Sequence, residues 1–219
     1  MATRQVLAEL LGSWQQRLGT GVAMESVGGV DAARRVLAGE AFDVVILASD
    51  ALDKLIAAGK VAGDSRVDLV RSGVAVAVQT GAARPDIGSE AALQRAVREA
   101  RSIGYSTGPS GVALTKLFER WGIADEVAQR TVQAPAGIPV GTLVARGEVE
   151  LGFQQASELM HLEGIDVLGP LPAAVQITTI FSGGLCSASP HGGAVRQLLA
   201  FMAGPDAAEA KRRHGMDPA

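Results

Sequence analysis

The chain has 219 residues, 47% of them hydrophobic and 20% charged, which is ample for a buried core in one or two compact domains and excludes a disordered or fibrous protein. Lys and Arg number 20 against 23 Asp and Glu, and aromatic residues make up 4%, so the chain offers nucleic acid neither a basic field nor stacking platforms. The single Cys186 cannot form an internal disulfide, and no apolar run is long enough to insert in a membrane.

At the start of the chain Val6, Leu7, Leu10, Leu11, Trp14 and Leu18 fall on one helical face, and Gly19 and Gly21 end that helix. This charged, periodic stretch is unlike a secretory signal, so the chain as written from Met1 is expected in the cytoplasm, and in the periplasm where a signal peptide precedes it. A strand is predicted over residues 22–26 and a helix over 31–38, closed by Gly39. The run Phe42 to Leu47 is apolar on both faces and predicts a buried parallel strand. Helices follow at 52–58, 90–101, 111–121 and 139–146, alternating with strands at 73–79, 102–105, near Thr131 and at 151–155. The last helices are predicted over 193–202 and 205–214. Such alternation predicts an α/β fold with mainly parallel sheets covered on both faces. The β-rich segments 72–79 and 175–182 are matched in length and lead into glycine-containing loops. Reading them as two hinge strands places lobe one at residues 1–75 plus 176–219 and lobe two at 76–175.

In open α/β sheets ligands bind beyond the carboxyl ends of strands, where helix N-termini present N–H groups to negative charge. Four small-residue loops fit: residues 1–4, 26–30, 106–111 and 134–138. Any one of them taken singly is an ordinary cap or turn, and four in one chain point to a shared anion site. The candidate ligand-binding residues are Ala2, Thr3, Gly28, Gly29, Ser106, Thr107, Ser110, Gly111, Gly137 and Gln155.

Three blocks carry a resemblance: residues 39–46 (GEAFDVVI), 145–153 (ARGEVELGF) and 167–172 (VLGPLP). In order and spacing they resemble the molybdate-binding-protein-like family of solute-binding proteins, over nearly the whole chain. The resemblance implies a two-lobed type II periplasmic-binding-protein fold, a small anionic ligand, no cofactor, and an ABC-transporter permease as a candidate partner. Carried across by position, it implies oxyanion contacts at Ser110, Gly137 and Gln155. Tetrahedral-oxyanion binders of the family carry a serine where this chain has Gly28, Gly29 and Val30, and a tyrosine where it has Gln155. They carry a further serine in a strand ahead of the first helix. A site short of hydroxyls suits a wider organic anion better than molybdate, since each missing hydrogen bond costs about 0.5–1.5 kcal/mol. Residues 65–73, 84–87, 105–106 and 152–155 are similar to a subgroup of the family in which aconitate isomerase activity is known.

Capture of an anion without turnover is the leading reading. An isomerase acting on a tricarboxylate and a cytoplasmic metabolite sensor are its rivals. Isomerisation needs a base, for which the loop candidates are Glu25, Asp31 and Glu158, with Arg4 to pair a substrate carboxylate. Each of these acids alone reads as a surface cap. His161, His191 and His214 lack metal-ligand spacing, Cys186 reads as a small buried hydrophobe, and Trp14 and Trp121 read as core. Lys211, Arg212 and Arg213 read as a solvated basic cluster at a helix end.

Overall fold

The two periodicities of the sequence resolve, in the computed structural model, into α1 (Arg4–Leu18), α2 (Gly29–Leu37), β1 (Val44–Ala48), α3 (Ser49–Ala57), β2 (Val67–Gln79), α4 (Glu90–Glu99) and β3 (Ile103–Tyr105). There follow α5 (Pro109–Arg120), α6 (Ala124–Val127), β4 (Thr131–Gln133), α7 (Val140–Ala145), β5 (Leu151–Gln155) and α8 (Ala156–Leu159). The chain ends with β6 (Ile165–Pro170), β7 (Thr178–Leu185), α9 (Gly192–Ala203), α10 (Ala208–Arg213) and β8 (Asp217–Pro218). The structure describes residues 1–19, 21–135 and 137–219. They divide into two units, Met1–Ser72 with Thr179–Ala219, and Gly73–Thr178. The chain therefore passes between units twice, once inside the unbroken strand β2 and once where β7 begins.

In the first unit β1 pairs with β7, and the first half of β2 carries β8. β1 explains its all-apolar sequence by burial on both sides. Val44 and Ile46 join the cluster of Val6, Leu10 and Trp14 from α1 with Leu198, Leu199 and Met202 from α9. Val45 and Leu47 join Val36 of α2 and Leu52 and Leu55 of α3. Its partner β7 runs antiparallel to it, not parallel as predicted. A strand covered by helices on both faces reads the same in either orientation, so the apolar run could not distinguish them.

In the second unit β2 lies between β6 and β5, followed by β3 and β4. Pairs involving β2 are antiparallel, whereas β3 is parallel to both β4 and β5. The sheets are thus mixed, and the expected excess of parallel pairing is corrected. One face packs Val74, Val76 and Val78 with Leu93 and Val97 of α4 and Leu114 and Phe118 of α5. The other carries small residues, Ala75 and Ala77 among them, against α7 and α8. Gly152 completes this face: a Cβ there would stand 2.4 Å from Val144 Cγ2 of α7.

Several local expectations change. Residues 22–26 form no strand: only Val22 packs against a core cluster, while Ala23, Met24 and Glu25 are exposed. β6 occupies residues read as a corner, and Pro170 ends it where no further ladder donor is needed. Trp14 is core, tilted against Phe201 at 5.5 Å between ring centroids. Trp121 sits at the margin of its cluster, half-buried, its Nε1 donating to Glu90 at 2.7 Å. Lys211 is not solvated: it is 1% exposed, because Ala207, Ala210 and Lys211 share the inward face of the last helical segment while Arg212 points out.

Candidate functional site

Parallel pairing brings the carboxyl ends of β3, β4 and β5 to one edge of the second unit, with register partners Tyr105, Gln133 and Phe153 side by side. From that edge each strand runs into a helix: β3 into α5 through residues 106–108, β4 into α7 through 134–139, and β5 directly into α8. The Ala134 N–H donates to the Tyr105 carbonyl at 2.9 Å and ties two of these loops together.

On this edge the hydroxyls of Ser106 and Ser110 are 3.2 Å apart, and Ser110 is buried. Gly111 follows in the first turn of α5, whose positive end favours an anion. Thr107 is exposed beside them. Gly137 occupies a left-handed turn ahead of α7 with open space around its α-carbon, and its neighbour Ala136 lies outside the described residues. Gln155, the last residue of β5, is buried. The structure therefore gathers Ser106, Thr107, Ser110, Gly111, Gly137 and Gln155 along one edge of one unit.

The four other candidates belong to the first unit. Ala2 and Thr3 are buried at the start of α1, and Ala2 is part of the apolar cluster there. Gly28 is the N-cap of α2, and Gly29 is exposed at its first position. The same unit holds a hydroxyl chain that sequence reading missed. Ser49 and Ser182 lie 2.7 Å apart, and Ser182 donates to Asp68 at 2.6 Å, with Arg66 3.2 Å from the same carboxylate. The place of β7 between β1 and β2 brings these residues together, so local sequence carries no signal for them.

The three candidate bases separate clearly. Glu25 is exposed and paired with Arg35 at 2.8 Å, and Arg35 also holds Glu40 and lies over the Phe42 ring. Asp31, its side chain 49% exposed, is paired with Arg34 at 3.1 Å within its own helix. Both are surface pairs. Glu158, in α8, is half-buried, and burial pushes its carboxyl above the usual carboxylate range, opposed in part by a hydrogen bond from the Gln154 side chain. Gln154 is a second residue missed from sequence. It is buried, and its Oε1 accepts from the Gly141 N–H of α7 at 3.2 Å. Consecutive glutamines ending an otherwise apolar strand point to opposite faces, and that alternation is the signal that could have found it. Ser157, between them and Glu158, is buried, and its Oγ has no hydrogen-bond partner among the described residues. Arg4 is exposed at the first position of α1.

Among the described residues no group of three or more His, Cys, Asp or Glu side chains could hold a metal ion. His214 pairs with Glu9 at 2.8 Å, and His161 and His191 are exposed. Cys186 is buried, and burial together with the Asp43 charge pushes its thiol up to about 11. A disulfide reagent at pH 8 is therefore expected to modify the native protein far more slowly than the denatured chain. Equal rates would show that the thiol is accessible. No helix among the described residues is long and apolar enough to cross a membrane.

Residues 1–217 match the family described as bacterial extracellular solute-binding protein. The chain is 44% identical over 185 residues to an aconitate isomerase from a Pseudomonas species, covering 84% of this chain and 70% of that protein. Its fold superposes on the Azotobacter vinelandii periplasmic molybdate-binding protein with a TM-score of 0.80 at 20% identity, covering 98% of this chain and 95% of that one. It superposes on the sulfate-binding protein SubI from Mycobacterium tuberculosis H37Rv with a TM-score of 0.77 at 16% identity, covering 98% and 83%. At these identities the two structures establish the two-lobed α/β fold and nothing of the ligand.

Proposed function

Because the chain belongs to the bacterial extracellular solute-binding protein family, we propose that it takes a small organic polycarboxylate at the strand ends of its second unit and interconverts the isomers of aconitate. The observation that carries this reading is an edge of strand ends that supplies neutral donors, together with a half-buried carboxylate in the helix leaving β5. Ser106, Ser110 and Gln155 are neutral donors suited to substrate carboxylates, and Glu158 is a half-buried carboxylate suited to moving a proton. Hydrogen bonds from such donors to a charged ligand contribute about 1.5–3 kcal/mol each, so several of them hold a polyanion without a fixed cation. The 44% identity to an aconitate isomerase turns the balance from capture alone toward turnover. The site of action we propose is outside the cytoplasmic membrane, as the family description has it.

Capture without turnover, with delivery to an ABC-transporter permease, is the second reading, favoured by the family itself. Two measurements separate them. Proton NMR of cis- or trans-aconitate mixed with the protein is expected to show interconversion. Calorimetry is expected to show tighter binding of aconitate than of molybdate or sulfate. Heat without interconversion would leave capture alone, and tight molybdate binding with no response to carboxylates would overturn both parts of the proposal.

A further inference from the structure

Building on the isomerase reading, we infer that Glu158 is the catalytic residue that carries the proton between the two allylic carbons of the substrate, with its carboxylate held in place by Gln154. Of the three acids near candidate loops, Glu25 and Asp31 have side chains 60% and 49% exposed and already paired with arginines of their own unit, whereas Glu158 is half-buried in the helix that leaves β5 directly. Its surroundings are built, not incidental. The Gly141 N–H fixes the oxygen of the Gln154 amide, which leaves the amide N–H to donate to Glu158. Gly141 lies close under Leu162, so that a Cβ there would stand 2.5 Å from Leu162 Cδ1. A buried amide held at one end by backbone and at the other by a carboxylate is the arrangement that orients a general base.

The step balances without a co-reactant. The Glu158 carboxylate takes a proton from the methylene carbon, and the C–H electron pair becomes a new carbon–carbon double bond. The old double bond shifts its pair onto the former vinyl carbon, where the substrate carboxylate delocalises the charge. Glu158, now a carboxylic acid, returns the proton to that carbon. The product has the atoms of the substrate, and the carboxylate is restored. Burial of Glu158 assists both halves, since a base above the ordinary carboxylate range takes a carbon-bound proton more readily and still gives it back.

The test is Glu158→Gln, a shape-conserving change that keeps an acceptor for Gln154. Turnover of aconitate is expected to fall by about 10²-fold or more, together with exchange of the methylene protons against D₂O followed by NMR. Binding of the saturated tricarboxylate with the same carbon skeleton, measured by calorimetry, is expected to stay within about threefold, a change of under 1 kcal/mol. Undiminished turnover in E158Q would overturn the assignment while leaving the isomerase reading intact. Loss of binding along with turnover would make Glu158 a ligand anchor and overturn it too. An unmodified protein that binds aconitate without converting it would remove the isomerase reading, and this role with it. Should E158Q melt early, Glu158→Asp keeps the charge and withdraws it by one methylene. It is expected to melt as the unmodified protein does and to turn over more slowly, and a full rate in that variant would also overturn the assignment.

Discussion

Gly111→Ala is expected to lower the melting temperature by about 5–10 °C and to weaken aconitate binding by at least an order of magnitude. A Cβ at position 111 would lie 1.8 Å from the carbonyl oxygen of Ser106 and 3.0 Å from the Tyr105 ring. The near atom is backbone, so no side-chain rotation relieves the overlap, and either the turn at residues 106–108 or the first turn of α5 must move. Overpacking of this kind costs about 1–3 kcal/mol when side chains can yield, and the upper end applies here because backbone must. Each kcal/mol corresponds to about 2–4 °C in a chain of this size. The displaced carbonyl belongs to the residue whose hydroxyl faces Ser110, so binding should suffer along with stability. Differential scanning calorimetry with and without aconitate checks both effects. An unchanged melting temperature would mean that the loop relaxes freely, and a lower one with undiminished binding would remove Ser106 from the site.

The contrast between Gly111 and Gln154 shows what the sequence made legible. Gly111 could be named as a candidate because a helix opening after a strand is a local pattern, and the turn 106–108 lies within a few residues of it. Gln154 is marked only by its alternation with Gln155 at a strand end, since its partner, the N–H of Gly141, is not brought near by sequence spacing. Glu25, Asp31 and Glu158 read alike from sequence, and the fold supplies Arg35 to the first and burial to the third, while Arg34 lies one helical turn from Asp31. Elements with one-sided or two-sided apolar patterns, such as α1 and β1, were readable because burial itself writes the pattern. Strand direction was not, because β1 is covered alike on both faces whichever way β7 runs. The segment 22–26 has the composition of a strand, yet only Val22 finds a core to pack against, and composition does not supply a hydrogen-bonding neighbour. Ala2, Thr3, Gly28 and Gly29 sit at helix starts in the first unit, as expected.

Lys211→Met is expected to stabilise the protein, by about 1–2 kcal/mol near neutral pH, which corresponds to about 2–8 °C. Lys211 is 1% exposed in the unit built from both chain ends, and no carboxylate pairs with it among the described residues. Burial lowers its pKa below the ordinary 10.5 by penalising the charged ammonium. Met keeps most of the length and apolar volume of the Lys stem and removes that penalty. The pH dependence has a definite sign. In the window between the lowered folded value and 10.5 the unfolded chain binds more protons at this site than the folded one, so stability rises with pH there. The penalty is present in full below the folded value and disappears as pH passes 10.5. The advantage of Lys211→Met should therefore be greatest at neutral pH and narrow as pH rises through the lowered folded value toward 10.5. Melting temperatures of both proteins across that range test it. A variant less stable than the original at neutral pH would show that the ammonium is stabilised by its surroundings, and a gap independent of pH would show that the gain comes from packing and not from relief of a buried charge.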